Sequence, residues 1–143
     1  MKVYSLLIIF LVSTACSKNN ANNENCKFLL DLGVNETVNL SLPQYSQLDF
    51  ISVPVYIPNA GNGGIIVTKT GTSSYVAFDA ADPNHIFSSC SVLSIDGING
   101  ICGCDDKNEY NLFNGLPAKS GILPCSLRPY RVEKSGNTLL IFN

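Results

Sequence analysis

The side chains best able to do chemistry in this sequence are six cysteines and one histidine. The single histidine, His85, means that one chain cannot supply a site that needs two imidazoles or a histidine relay. Thiolates and imidazoles are ligands that zinc and iron favour, whereas paired thiols form disulfides in an oxidising compartment. These residues therefore point either to metal chemistry or to covalent bridges. The cysteines are Cys16, Cys26, Cys90, Cys102, Cys104 and Cys125.

The N-terminal sequence predicts the cellular compartment of the protein. After Met1-Lys2, the apolar run from Val3 to Val12 would rise about 15 Å as a helix, half of a ~30 Å hydrocarbon layer. Such a run is typical of an export signal rather than of a membrane span. Ser13-Thr14-Ala15-Cys16 then resembles the lipobox of bacterial lipoproteins, with Ser13 where the family usually has Leu.

That resemblance implies a signal peptide over residues 1–15, a lipidated Cys16, and a flexible polar tether over residues 16–25. The protein is then expected in the cell envelope, anchored by lipid to a bacterial membrane, with the outer membrane or a periplasmic face favoured. An exported protein meets an oxidising environment, which permits disulfides.

Lipidation of Cys16 would leave five cysteines, so at most two bridges form and one thiol stays free. Cys102 and Cys104 are too close in sequence for an easy mutual bridge. We therefore expect Cys90 to pair with one of these two, and Cys26 to pair with Cys125, although spacing alone does not fix the connectivity.

Composition limits the classes of function. The chain has 143 residues, 45% hydrophobic and only 14% charged, with a net charge of −2. This excludes a disordered tail and gives no basic stripe for nucleic acid. Residues 26–143 are expected to form one domain.

The elements that must position these cysteines are predicted to be strands. Residues 38–42 alternate apolar and polar residues, and residues 48–57 form an extended stretch in which Pro54 favours an edge strand or a bulge. Two hairpins follow, residues 65–78 with a four-residue loop and residues 127–142. A short helix fits only near residues 26–32. The intervening residues, about 79–124, are rich in loops and hold most of the cysteines.

The segment from Ile65 to Asn143 resembles a Rieske domain. A strand ending in Tyr75-Val76-Ala77-Phe78-Asp79 leads to Asp82-Pro83-Asn84, where the family has Cys-x-His. Seventeen residues, 85–101, separate this motif from Cys102-Gly103-Cys104-Asp105, where the family has Cys-x-x-His. The resemblance implies an all-β, Rieske-like antiparallel scaffold with an inserted two-loop subdomain over about residues 79–124.

Rieske domains hold a [2Fe–2S] cluster with two thiolates and two imidazoles. The corresponding positions here are Asp82, Asn84, Cys102 and Asp105, of which only Cys102 keeps its ligand type. An amide and two carboxylates are poor replacements for soft ligands. We therefore expect no cofactor, no metal and no catalytic residue, with [2Fe–2S] as the alternative.

The same resemblance implies a disulfide between Cys90 and Cys104 that holds the two loops together. Cys102 remains the alternative partner of Cys90. Two other sites were considered in this region and are not expected. Cys90, Cys102, Cys104 and His85 would suit zinc, but exported cysteines usually oxidise, so we expect a disulfide, an idle thiol and a surface histidine. Asp82, Asp105, Asp106 and Glu109 would suit calcium, but they lack the regular alternation of a calcium loop, so we expect a solvated turn. A nucleophile at Ser88 or Ser89 near His85 has no supporting motif.

The expected function is therefore a non-enzymatic binding or structural role in the cell envelope. The alternative is a Rieske-type ferredoxin that carries electrons to an oxidoreductase. The sequence identifies the membrane as a partner through the lipid and excludes nucleic acid, but it does not identify a protein partner.

Overall fold

The computed structural model describes residues 26–143, so the expected signal peptide, Cys16 and tether lie outside the described residues. Within this range two short 3₁₀ helices span Pro43–Asp49 and Ser89–Ser91. No helix in residues 26–143 is long and apolar enough to cross a membrane. The strands are β1 Asn35–Asn39, β2 Pro54–Ile57, β3 Ile65–Lys69, β4 Tyr75–Asp79, β5 Leu93–Asp96, β6 Asn99–Cys102, β7 Glu109–Asn111, β8 Pro129–Ser135 and β9 Thr138–Phe142.

Two antiparallel sheets organise the domain. Six strands form one sheet in the order β1-β9-β8-β4-β3-β2, and β5-β6-β7 form a second, smaller sheet. Strand β8 joins both halves of the large sheet, because its first two residues pair with β4 and residues 131–135 pair with β9. The small sheet is inserted between β4 and β8, so the predicted all-β scaffold with an inserted subdomain is confirmed.

Strand β3 separates two apolar clusters. Its side chains alternate between faces. Ile65 and Val67 pack in one cluster with β1, β8 and β9, whereas Ile66 packs with Phe78, Tyr110 and the small sheet. Both faces of β3 are covered, which explains the continuous apolar run Ile65-Ile66-Val67. The second cluster fixes the inserted sheet, and hence its loops, against the scaffold.

Several sequence predictions need correction. The expected strand over residues 48–57 begins only at Pro54, because residues 43–49 form a 3₁₀ helix that buries Leu48. Residues 26–32, where the sequence left room for at most a short helix, form no helix. This segment has no regular secondary structure, bends at residues 28–29, and is held by bonds such as that from the Leu30 N–H to Asn62. Pro54 does begin an edge strand, as predicted, since β2 lies at the end of the large sheet.

A buried carboxylate fixes the end of β4, where the chain leaves the scaffold. Asp79 accepts hydrogen bonds from the backbone N–H groups of Asn62, Gly63 and Ala81, at 2.8, 3.1 and 2.9 Å. It also accepts from the Asn62 side chain and, at 2.7 Å, from the Tyr130 hydroxyl. A β-carbon at Gly61, where φ is +63°, would lie only 2.7 Å from the carboxylate, so glycine is required there.

Tyr130→Phe should lower the free energy of unfolding by about 1.5 to 3 kcal/mol, because it removes a donor to a buried carboxylate. Chemical denaturation of the variant and its parent measures this difference. Tyr45→Phe is the matched control, since among residues 26–143 no hydrogen bond is recorded for the Tyr45 hydroxyl. Equal losses of unfolding free energy in both variants would show that the hydrogen bond to Asp79 does not stabilise the fold.

Candidate functional site

Two loops meet at one end of the inserted subdomain. We define loop one as residues 80–92, which follow β4, and loop two as residues 103–108, which connect β6 to β7. Loop one is closed by backbone bonds from the Asp82 N–H to the Ser91 carbonyl and from the Leu93 N–H to the Ala80 carbonyl. The Ala80 N–H also donates to the carbonyl of Gly64, which precedes β3 of the large sheet. Loop two is closed by the Lys107 N–H bond to the Cys104 carbonyl and by the pairing of β6 with β7.

A disulfide joins the two loops. Cys90 in loop one and Cys104 in loop two are bonded with an S–S distance of 2.00 Å, and Cys26 is bonded to Cys125 at 2.02 Å. These are the two pairs named in the sequence analysis. Gly103 permits the close approach of the loops, because a β-carbon there would lie 2.8 Å from the Cys90 carbonyl oxygen.

Asp82, at the first cluster-ligand position, is fully buried. Its Oδ1 accepts from the Asn84 backbone N–H at 2.8 Å and from the Tyr110 hydroxyl at 2.5 Å. Its Oδ2 accepts from the Asn108 side chain at 2.8 Å. Asp82 thus holds loop one to β7 and to the end of loop two.

Asn84, at the second position, is bonded to the segment that precedes β8. Its amide donates to the Cys125 carbonyl at 2.9 Å, and its oxygen accepts from the Cys125 N–H at 3.0 Å. The amide also donates to the Tyr110 hydroxyl at 2.6 Å. All its polar atoms are therefore used within the protein, and its oxygen is not directed at a metal.

The other two positions that correspond to cluster ligands, Cys102 and Asp105, differ in burial. Cys102 is fully buried and is the free cysteine of the described chain. Asp105 is exposed, and it is not among the donor atoms that residues 26–143 bring together with Cys102. The four positions therefore do not converge as a ligand set.

A [2Fe–2S] cluster does not fit these residues. The cluster needs two thiolates and two imidazoles. The fold would supply one thiolate from Cys102 and a hydrogen-bonded carboxylate from Asp82. The other two positions hold the Asn84 amide, which is bonded to Cys125, and the Asp105 carboxylate, which lies apart from the other donors. The polar network and the disulfide join the same two loops that a cluster would join.

The structure does bring four other donors together. His85 Nε2 lies 3.2 Å from Cys102 Sγ, 3.3 Å from Asp82 Oδ2 and 3.7 Å from Asp106 Oδ2. From the sequence alone, Asp106 was considered only as a calcium ligand, and Tyr110 and Asn108 were not predicted as partners of Asp82. Only the antiparallel register of β6 and β7 places these residues opposite loop one, and no local motif signals it.

The alternative sites in the sequence analysis are not formed. The zinc set of Cys90, Cys102, Cys104 and His85 is not available, because Cys90 and Cys104 are bonded to each other. The calcium set does not assemble, since Glu109 accepts from Asn99 at 2.8 Å and only Asp82 and Asp106 of that set meet. Ser88 contacts Cys90 and Ser91 rather than His85.

Burial dominates the proton chemistry of the site. It raises the pKa of the Cys102 thiol to about 12; a hydrogen bond with the Cys104 backbone opposes this increase in part, and the neighbouring Asp82 adds to it. Burial and the bond to Asp82 also raise the pKa of Tyr110. Both groups are therefore protonated at neutral pH in the metal-free protein.

The free energy of unfolding should fall as pH rises from about 9 towards 12. The unfolded Cys102 thiol loses its proton near pH 9, whereas the folded thiol keeps it until about 12. Denaturation of chelator-treated protein across this range measures the slope. Cys102→Ala should reduce the slope without abolishing it, because Tyr110 and Tyr130 also have raised pKa values. An unchanged slope would contradict this assignment.

Comparison with known proteins yields likenesses of fold. No family model matches the sequence, and no curated protein matches it. The structure is similar to the complex of reduced oxygenase and oxidized ferredoxin in carbazole 1,9a-dioxygenase, at 20% identity and a TM-score of 0.45 over 64% of this chain and 82% of that one. It is also similar to the ferredoxin of carbazole 1,9a-dioxygenase from Nocardioides aromaticivorans, at 18% identity and a TM-score of 0.41, covering 66% and 90% of the two chains.

A third similar structure is described as an NADH-dependent nitrite reductase small subunit from Mycobacterium tuberculosis. It shares 14% identity at a TM-score of 0.42, over 79% of this chain and 97% of that one. The chain has the all-β antiparallel architecture with an inserted small sheet that the sequence predicted. Whether a cluster is present is a question of ligands, which the fold does not answer.

Proposed function

We propose that this protein is a cell-envelope lipoprotein whose Rieske-like domain has lost its iron–sulfur cluster and serves a non-enzymatic binding or structural role. The observation that carries this proposal is the bonding of Asn84. A residue that stands where the family has an iron-ligating histidine makes two hydrogen bonds to the Cys125 backbone and one to Tyr110. Both polar atoms of its side chain are bonded within the protein.

The surrounding donors support the same conclusion. Asp82 accepts from three protein donors at its present position, so displacing it towards a two-iron cluster would leave these donors, of which Tyr110 is fully buried, without partners. Each such unpaired group costs about 1 to 3 kcal/mol. A cluster would have to compensate for this cost while lacking its two imidazoles.

The cysteine usage supports a location outside the cytoplasm. Four of the five cysteines in the described chain are bonded in pairs, which fits an oxidising compartment. The lipobox-like sequence at Cys16 adds the membrane anchor, and the polar residues 17–25 would separate the lipid from the domain.

The competing function is electron transfer through a [2Fe–2S] cluster. Iron and acid-labile sulfide should be measured on full-length protein purified without oxygen, together with its visible absorption. We expect a colourless protein with far less than one iron per chain. Two irons and two sulfides per chain would overturn the proposed loss of the cluster.

The anchor is tested separately by Cys16→Ser. We expect the parent protein to sediment with membranes and the variant to be released, because the lipid has lost its attachment site. Cys102→Ser is the matched control and should remain with the membranes, since its cysteine is buried in the domain. Membrane retention of Cys16→Ser equal to that of the parent would contradict lipid anchoring.

A further inference from the structure

We propose that the chain binds one Zn²⁺ ion through four side chains at the meeting point of its two loops: Asp82, His85, Cys102 and Asp106. This inference rests on the proposed loss of the [2Fe–2S] cluster, because both groups would occupy the same place. It departs from the sequence expectation that no metal binds. It also uses a different ligand set from the four family positions.

The spacing of the donor atoms supports a single ion. The oxygen, nitrogen and sulfur atoms all lie within 4.8 Å of one another. From His85 Nε2 the other three lie at 3.2, 3.3 and 3.7 Å. Ligands about 2.0 to 2.3 Å from a tetrahedral Zn²⁺ are separated by roughly 3.3 to 3.6 Å, so the three distances from His85 need only small adjustments.

The position of His85 supports a role as a ligand. Its Nδ1 lies 3.1 Å from the Ile86 carbonyl oxygen, and its Nε2 faces the Cys102 sulfur and two carboxylate oxygens. A histidine that donates its other N–H to a carbonyl is the usual arrangement for a metal ligand.

The neighbouring residues also fit a metal site. The Asn108 amide donates to Asp82 Oδ2 at 2.8 Å and to Asp106 Oδ2 at 3.0 Å, which holds both carboxylates towards His85. The Tyr110 hydroxyl fixes the opposite oxygen of Asp82. Hydrogen bonds of this kind orient ligands and increase metal affinity.

The types of ligand atom, and their exposure to solvent, favour Zn²⁺ over other ions. One sulfur, one imidazole nitrogen and two carboxylate oxygens suit Zn²⁺, whereas Mg²⁺ and Ca²⁺ prefer oxygen ligands alone. The Cys102 thiol loses its proton to water when it binds the ion. Asp82 and Cys102 are buried, but the side chains of His85 and Asp106 are 24% and 43% exposed, so an ion can enter from solvent between them.

The test uses Co²⁺ as a spectroscopic probe of chelator-treated, full-length protein, followed by displacement with Zn²⁺. We expect one Co²⁺ per chain, with tetrahedral visible bands and a thiolate-to-cobalt charge-transfer band. Cys102→Ser should abolish the charge-transfer band. Asp106→Asn should weaken binding by about tenfold or more, and it should not disturb folding because Asp106 is partly exposed.

Asp105→Asn is the matched control, because Asp105 is an adjacent exposed carboxylate that stands at a family ligand position but outside this donor set. We expect its Co²⁺ affinity to remain within twofold of the parent. No bound Co²⁺, or equal losses in Asp105→Asn and Asp106→Asn, would overturn the zinc site and leave the proposed function intact. Two irons with two sulfides per chain would overturn both.

Discussion

Removing the Cys26–Cys125 disulfide with the double variant Cys26→Ser, Cys125→Ser should lower the free energy of unfolding by about 4.7 kcal/mol. The two cysteines are 99 residues apart, so the bridge restricts nearly the whole unfolded domain. The folded segment before β1 depends on it as well, because residues 26–34 belong to no strand and are held by a few bonds such as that from Arg128 to the Leu30 carbonyl. Chemical denaturation measures the loss.

The Cys90–Cys104 bridge provides the matched comparison. Its cysteines are 14 residues apart, so the same double substitution there should cost about 3 kcal/mol. The two bridges differ in the length of chain that they enclose and also in burial, because Cys125 is buried whereas Cys90 is exposed. Both differences predict the larger loss of stability for the Cys26–Cys125 variant. If the Cys26–Cys125 variant lost less stability than the Cys90–Cys104 variant, the entropic account of the long bridge would be wrong.

Asp82→Ala should lower the free energy of unfolding by about 3 to 5 kcal/mol in chelator-treated protein. The carboxylate is fully buried and accepts from Asn84, Tyr110 and Asn108. Its removal would leave two or three buried donors unpaired, at about 1 to 3 kcal/mol each. The loss should be accompanied by faster amide hydrogen exchange in loop one, which the carboxylate ties to β7.

Asp105→Ala is the control for this prediction, because it removes an exposed carboxylate from loop two and should change stability by about 0.5 kcal/mol or less. Tyr110→Phe tests the same network from the other side, since it deletes the hydroxyl shared by Asp82 and Asn84. A loss for Asp82→Ala no larger than that of the control would show that the network does not hold the loops.

The sequence predicts the scaffold well where strands are long enough to show their pattern. The hairpin of β3 and β4 and the hairpin of β8 and β9 each carry four or more residues of apolar or alternating pattern beside clear turn residues. The inserted sheet escaped prediction for the opposite reason. Strands β5, β6 and β7 contain only three or four residues each, which is too short to display a period of two.

The candidate site was predicted in part. The spacing of two degenerate motifs located Asp82, Asn84 and Cys102 at the meeting of two loops. The place of Asp106 in the donor set, and the bonds of Tyr110 and Asn108 to Asp82, depend on the register between β6 and β7, which turns loop two towards loop one. Register is a long-range property of the fold, so residues 24 to 28 positions from Asp82 carry no local sign that they contact it.

The central claim is that hydrogen bonds and a disulfide, rather than two iron atoms, join the loops. Electron paramagnetic resonance of the anaerobically purified protein, reduced with dithionite, tests it most directly, because a reduced [2Fe–2S] centre has an unpaired spin. We predict no such signal above the level of trace iron. A spin concentration approaching one per chain would contradict the account.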